Sequence, residues 1–155
     1  MTPTVENILE KMGYVLPDLT PAIANYIPWR LSGSLVYVSG QLPMQAGKPH
    51  YVGKVGQEFS LEEGQKAAEL CAINILAQLK QAVDGDWSRV VACVRLGGFV
   101  NATADFTAHP QVINGASNLI VDALGERGKH ARAAVGVGSL PLGVAVEVEA
   151  LFEIR

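Results

Sequence analysis

The stretch HARAAVGVGSLPLGVAVEVEALFEI, residues 130–154, decides how this chain is read. From Val146 onward the alternation is strict. Val146, Val148, Ala150, Phe152 and Ile154 fall on one face, and Glu147, Glu149 and Glu153 on the other, the two-residue period of a half-buried strand. Upstream, Ala131, Ala133, Val135 and Val137 alternate with Arg132, Ala134, Gly136 and Gly138. The Pro/Gly connection Ser139–Gly143 is short, which predicts that the two strands are antiparallel neighbours. A register that keeps each face single in character then sets Arg132 on the face of Glu147 and Glu149, because a one-residue slip would send the carboxylates into the core. A guanidinium and carboxylates on a surface otherwise of Ala and Gly are the chemistry that the rest of the chain has to hold.

Working outward, the chain supplies a scaffold. Thr2 is the expected N-cap and Pro3 the first turn of a short helix whose stripe is Val5, Ile8, Leu9 and Met12, ended by Gly13. An irregular connector runs from Leu16 to Ala22. Tyr26–Leu31 and Ser34–Ser39 read as a hairpin over Ser32-Gly33. Pro43 takes the chain out of the sheet, and Tyr51–Val55 is an edge-strand candidate. Ser60-Leu61-Glu62-Glu63 is a capping box that opens the longest helix, running to about Val83. Ala68, Cys71, Ala72, Ile75, Leu76, Leu79, Ala82 and Val83 form its buried stripe, while Glu62, Lys66, Glu69, Gln78 and Gln81 face water. Val90–Val100 is a β-branched strand interrupted by Gly97-Gly98, a pair that marks a bulge or a backbone held close to something else. Pro110–Leu124 is a second helix with Val112, Ile113, Ala116, Leu119, Ile120, Ala123 and Leu124 inward, stopped by Gly125. The order of elements predicts one α+β domain over residues 1–155: a mixed sheet with two main helices on one face, preceded by a helical extension and connector over 1–25.

Composition narrows the function. Charged residues make up 17% of the chain, against roughly 25% in a typical soluble domain, which points to surface hidden against copies of itself. A net charge of −3 supplies no basic footprint for nucleic acid. No apolar run is long enough to span a bilayer, and Met1–Glu10 does not resemble a signal peptide, so a cytoplasmic protein is expected. Cys71 and Cys93 read as reduced core thiols. His50, His109 and His130 have no ligand spacing, and no phosphate loop or nucleophile elbow is present, so neither a metal nor a cofactor is expected. Arg132 has two readings: a strand arginine in a surface ion pair, or a guanidinium with room around it for a ligand carboxylate. Glu147 is equally well the solvated side of an edge strand. Tyr26 and Trp29 read as hairpin core, Ser39-Gly40 as a turn, and Asn114 and Ser117 as local polar contacts.

Ser39-Gly40-Gln41-Leu42-Pro43, together with Ala131-Arg132, Leu140-Pro141 and Ala145–Ala150, resembles the RidA family, also called YjgF/YER057c/UK114, from about Tyr26 onward. The resemblance implies a chorismate-mutase-like α+β fold and a homotrimer with sites between subunits. It also implies cofactor-free hydrolysis of reactive 2-imino acids and their enamine tautomers to 2-oxo acids and ammonia. By that resemblance Arg132 holds the substrate carboxylate and Glu147 the attacking water, with Tyr26, Ser39, Gly40 and Asn114 as further substrate contacts. The chain departs from the family pattern at Ala134, where a Cys is common, in the helix before Tyr26, and in the stretch Val94–Asn101. Two alternatives stay open: a non-catalytic module binding small carboxylates in the same cleft, and the RNA-cleaving activity attached to the family, which the acidic composition disfavours.

Overall fold

A computed structural model describes residues 3–19 and 27–155. Its first helix, α1, spans Val5–Lys11. The cap is Thr4, whose Oγ1 accepts from the Asn7 amide at 3.1 Å, while Asn7 Oδ1 accepts from the Thr4 amide at 3.3 Å. The cap expected at Thr2 lies outside the described residues, and Pro3 precedes the helix. Asn7 decides the point, because only a cap three residues before it closes both bonds. Glu6 anchors the helix, accepting from Trp87 Nε1 at 3.0 Å and pairing with Lys80 at 3.1 Å. Helix α1 thus docks on the helix layer.

Strands β1 (Trp29–Ser32) and β2 (Leu35–Gln41) form the expected hairpin. Its turn is Gly33-Ser34, one residue later than expected, because Gly33 takes the left-handed conformation at φ +61°. Two short strands, β3 (Met44–Gln45) and β4 (Lys48–Pro49), follow, and Asn74 Nδ2 ties the loop to the next helix by donating to the Leu42 and Met44 carbonyls at 2.9 and 3.0 Å. Tyr51–Val55 makes only isolated bridges. Helix α2 (Leu61–Ala82) starts at the expected capping box, with the Glu63 amide donating to Ser60 Oγ at 3.2 Å. Gln78 departs from the expectation: it is 7% exposed, and its Oε1 has no hydrogen-bond partner among the described residues. A 22-residue helix between a sheet and another helix buries more than one stripe.

β5 (Val90–Asn101), α3 (His109–Leu124), β6 (Ala131–Val137) and β7 (Val146–Ile154) complete the fold. The seven residues expected to line the inner face of α3 are those that are buried, and β7 alternates as read. The expected pairing of the last two strands fails. β6 and β7 are not neighbours; the sheet order is β1-β2-β7-β5-β6, with β5 between them. β5 runs parallel to β6 and antiparallel to β7. The β5–α3–β6 unit is a crossover that lays β6 beside β5, and the twelve residues of β5 serve partners on both edges. Chain adjacency gives way to that longer-range pairing.

The glycine pair of β5 serves close approach. A Cβ at Gly98 would come within 2.6 Å of Ile113 Cδ1 on α3, and one at Gly97 within 2.9 Å of Glu149 Cγ. The irregularities of register fall elsewhere, between Val90 and Ala92 and between Cys93 and Arg95. α2 and α3 cover one face of the five-stranded sheet, and the core of Leu76, Leu79, Leu96, Ile113, Ile120, Val148 and Phe152 lies between the layers. The other face is open, with Tyr37 49% and Val135 46% exposed.

Candidate functional site

On the open face, β2 and β7 assemble the first group of residues. β2 carries a register shift between Val38 and Gln41, so Ser39 and Gly40 sit in a bulge against β7. The bulge brings the Gly40 backbone onto the Glu147 side chain: a Cβ added at Gly40 would fall on that carboxylate. Only glycine leaves this space. Ser39 Oγ donates to the Ile27 carbonyl at 3.2 Å and the Ser39 amide to the Pro28 carbonyl at 2.8 Å, which fixes the segment that follows Tyr26. Tyr26 itself lies outside the described residues. Glu147 is half-buried, and its pKa is raised above 4.5, first by desolvation and then by the neighbouring Glu149 carboxylate. Glu149 has its own cation, Arg95 Nη1 at 3.3 Å, in the space left by Gly97. Glu147 has none within 4.0 Å among the described residues.

Arg132 heads a second group, on the other side of the sheet. Its register partner in β5 is Leu96, which also faces Ala150 of β7, and both are buried beneath the helices. The expectation that Arg132 shares a face with Glu147 and Glu149 is therefore overturned. Within β6 the alternation is as read, but the Arg132 side faces α3, and the glutamates face away from it. Nη1 of Arg132 donates to Ser117 Oγ at 3.0 Å and Nη2 to the Pro110 carbonyl at 3.2 Å. Pro110, Asn114 and Ser117 are spaced i, i+4, i+7, a single stripe of α3, so Asn114 lies between the two acceptors of the guanidinium.

Ser117 is held in turn by His130. His130 Nδ1 lies 2.6 Å from the Gly128 carbonyl, and Nε2 lies 2.9 Å from Ser117 Oγ. A carbonyl only accepts, so in the neutral ring Nδ1 carries the proton and Nε2 accepts from the Ser117 hydroxyl. The Ser117 oxygen keeps a lone pair for Arg132. Both acceptors of the guanidinium are neutral, and no carboxylate lies within 4.0 Å of it among the described residues. The ion-pair reading of Arg132 fails. The cation is oriented and left unneutralised, a state suited to a ligand carboxylate.

The two groups do not meet in one chain. Arg132 and Glu147 stand on strands two apart, about 9.6 Å, and three residues out of level, about 10 Å along the strand, with side chains on opposite faces. Ser39, Gly40 and Glu147 come together, and so do Arg132, Asn114 and Ser117. Among the described residues, no three His, Cys, Asp or Glu side chains converge on a point that could hold a metal ion, and no helix is long and apolar enough to cross a membrane. Cys71 and Cys93 are buried free thiols, with Cys93 pushed up to about 12 by desolvation. Ser117, expected as a local polar contact, instead bonds His130 across the elements. The signal was the thirteen-residue return from α3 to β6, visible only once the two elements pack.

The fold is a two-layer α+β sandwich with one open sheet face. The model of the family described as "YjgF/chorismate_mutase-like, putative endoribonuclease" matches residues 6–154. The chain belongs to that RidA/YjgF family. It is 43% identical over 148 residues to protein TCP17 of Trypanosoma cruzi, covering 95% of this chain and 92% of that one. The crystal structure of Atu1372 from Agrobacterium tumefaciens, of unknown function, shares 49% identity and a TM-score of 0.93 over 98% of this chain and 94% of that one. More distant are RidA from the Antarctic bacterium Psychrobacter sp. PAMC 21119 (29%, TM-score 0.56, 86% of this chain and 92% of that one) and E. coli TdcF with bound serine (25%, TM-score 0.58, 86% and 91%).

Proposed function

We propose that this protein hydrolyses reactive 2-imino acids to 2-oxo acids and ammonia, as an assembly in which Arg132 of one copy faces Glu147 of the next. The observation that carries the reading is the Arg132 guanidinium, positioned by two neutral oxygens with no carboxylate beside it. The substrate carboxylate docks there bidentately. Ser39, Gly40 and Glu147, with Tyr26, come from the neighbouring copy, and Asn114 contacts the substrate from the Arg132 side. Three such clefts close a trimer around the open sheet faces. A carboxylate whose pKa is raised by burial is a better base than an ordinary one near neutrality, and Glu147 takes a proton from water as its oxygen attacks the iminium carbon. That proton passes to the nitrogen of the tetrahedral adduct, Glu147 then takes the hydroxyl proton, and the C–N bond breaks so that ammonia leaves as the C=O bond forms. A protonated imine is already electrophilic, so positioning and proton transfer suffice. The cytoplasm, where pyridoxal-phosphate enzymes release enamines, is the fitting setting.

The test is to generate 2-iminobutyrate in situ and follow its decay. The protein should accelerate decay, and Arg132→Ala and Glu147→Gln should each abolish the acceleration. No acceleration by the wild type, or equal acceleration by Arg132→Ala, overturns the reading. TdcF, a relative with bound serine, favours a second reading, a carboxylate-binding module without turnover. That reading predicts saturable binding of 2-oxobutyrate, lost in Arg132→Ala, with no effect on imine decay.

A further inference from the structure

Beyond Arg132, where β5 and β6 end, a cavity of about 710 Å³ opens between the start of α3 and the loop holding Lys54. Lys54 Nζ donates to Asn101 Oδ1 and to the Gly138 carbonyl, both at 2.7 Å. Asn101 is 4% exposed, and its own Nδ2 donates to the Val144 carbonyl at 3.1 Å, so its oxygen is fixed toward the lysine. An ammonium has three donors. Two are used by neutral oxygens, which orient the group without cancelling its charge. Among the described residues no carboxylate lies within 4.0 Å of it. The opposite wall is His109, edge-on to Phe106 with ring centroids 5.5 Å apart. That imidazole occupies the place a side chain at residue 136 would take, so Gly136 is what admits it. The Thr103 hydroxyl and the Gln57 amide complete the polar lining, which contains no Asp or Glu.

We infer that this cavity binds a small organic anion, its carboxylate or phosphate group on Lys54 and its carbon skeleton against the Phe106–His109 wall. A lysine oriented by a buried amide, beside donors and an aromatic surface, matches an anionic head with an apolar body. The site is separate from the carboxylate anchor, since Arg132 is not among its walls, and it does not rest on the proposed reaction.

Calorimetric titration of the whole protein with sodium phosphate and with sodium succinate tests it. At least one probe should bind saturably, and Arg132→Ala should keep that binding. Lys54→Met should weaken it at least tenfold. Because Lys54→Met also removes two bonds that tie the loop to β6, the exposed Gln57 provides the deciding pair. Gln57→Glu should weaken binding several-fold and Gln57→Lys should tighten it, with the Lys54 bonds intact. Preference for one probe identifies the head group. Binding of neither probe overturns the inference, as does binding lost in Arg132→Ala and kept in Lys54→Met. Loss in Lys54→Met with no response to either Gln57 change also overturns it, since Lys54 would then only tether the loop.

Discussion

Ser117→Ala tests the orientation of the guanidinium most directly. The hydroxyl accepts from Arg132 Nη1 at 3.0 Å and meets His130 Nε2 at 2.9 Å, so one truncation breaks two bonds. A hydrogen bond to a charged group contributes about 1.5–3 kcal/mol, and a buried acceptor left unpaired costs about 1–3 kcal/mol. Both groups are part-buried, so water recovers some of each, and Arg132 keeps its bond to the Pro110 carbonyl at 3.2 Å. The expected net loss is about 1–2 kcal/mol. Because 1.4 kcal/mol is tenfold, 2-oxobutyrate should bind about 5- to 30-fold more weakly, read by calorimetry. In the imine assay the loss should fall on KM more than on kcat, because the guanidinium grips ground state and transition state alike. His130→Gln, which removes the imidazole and keeps Ser117, should give a smaller effect of the same sign. Unchanged affinity in Ser117→Ala, with Arg132→Ala abolishing binding, would refute the view that α3 orients the anchor.

Three other perturbations follow from particular contacts. Gly40→Ala drives a Cβ onto the Glu147 carboxylate, so kcat should fall at least tenfold while 2-oxobutyrate affinity holds; an unchanged kcat would show that Glu147 does not act from where it sits. Glu147 has a raised folded-state pKa, so it favours folding at pH below the ordinary carboxylate value near 4.5 and loses that contribution as pH rises through the raised value. Glu147→Gln should therefore gain melting temperature relative to wild type between pH 4 and pH 7, and a pH-independent difference would contradict the burial argument. Gln78→Met should raise stability by about 1 kcal/mol, roughly 2–4 °C in calorimetry, by replacing a buried Oε1 that has no partner among the described residues; a lower melting temperature would mean that the amide is satisfied after all.

What the sequence made legible was whatever is written in short range. Ser60 and Glu63 stand three apart and close a capping box in any helix, and the alternation of β7 needs no partner to be seen. The inner stripe of α3 is readable for the same reason. Lys54 lies at the other extreme: its two acceptors are 47 and 84 residues away, and nothing local marks the three as a group. Gln78 falls between, a buried polar residue on the stripe of Asn74 and Gln81, which bond the loop after β2 and Trp29 of β1.

The face on which Arg132 stands is set at long range. Alternation in β6 shows that Arg132, Ala134 and Gly136 point the same way, but a period of two is symmetric and leaves open which way that is. Only the partner strand decides. Pairing with Glu147 would have put a complete acid and cation on one surface of one chain, and pairing with Leu96 puts the cation beneath α3 instead. Gly136, expected as room for a ligand on the glutamate face, is room for His109 of α3. Chemistry that needs both groups on one substrate then requires a second copy to present its Glu147. A chain this poor in charge, with Tyr37 and Val135 exposed on its uncovered sheet, has the surface to meet one.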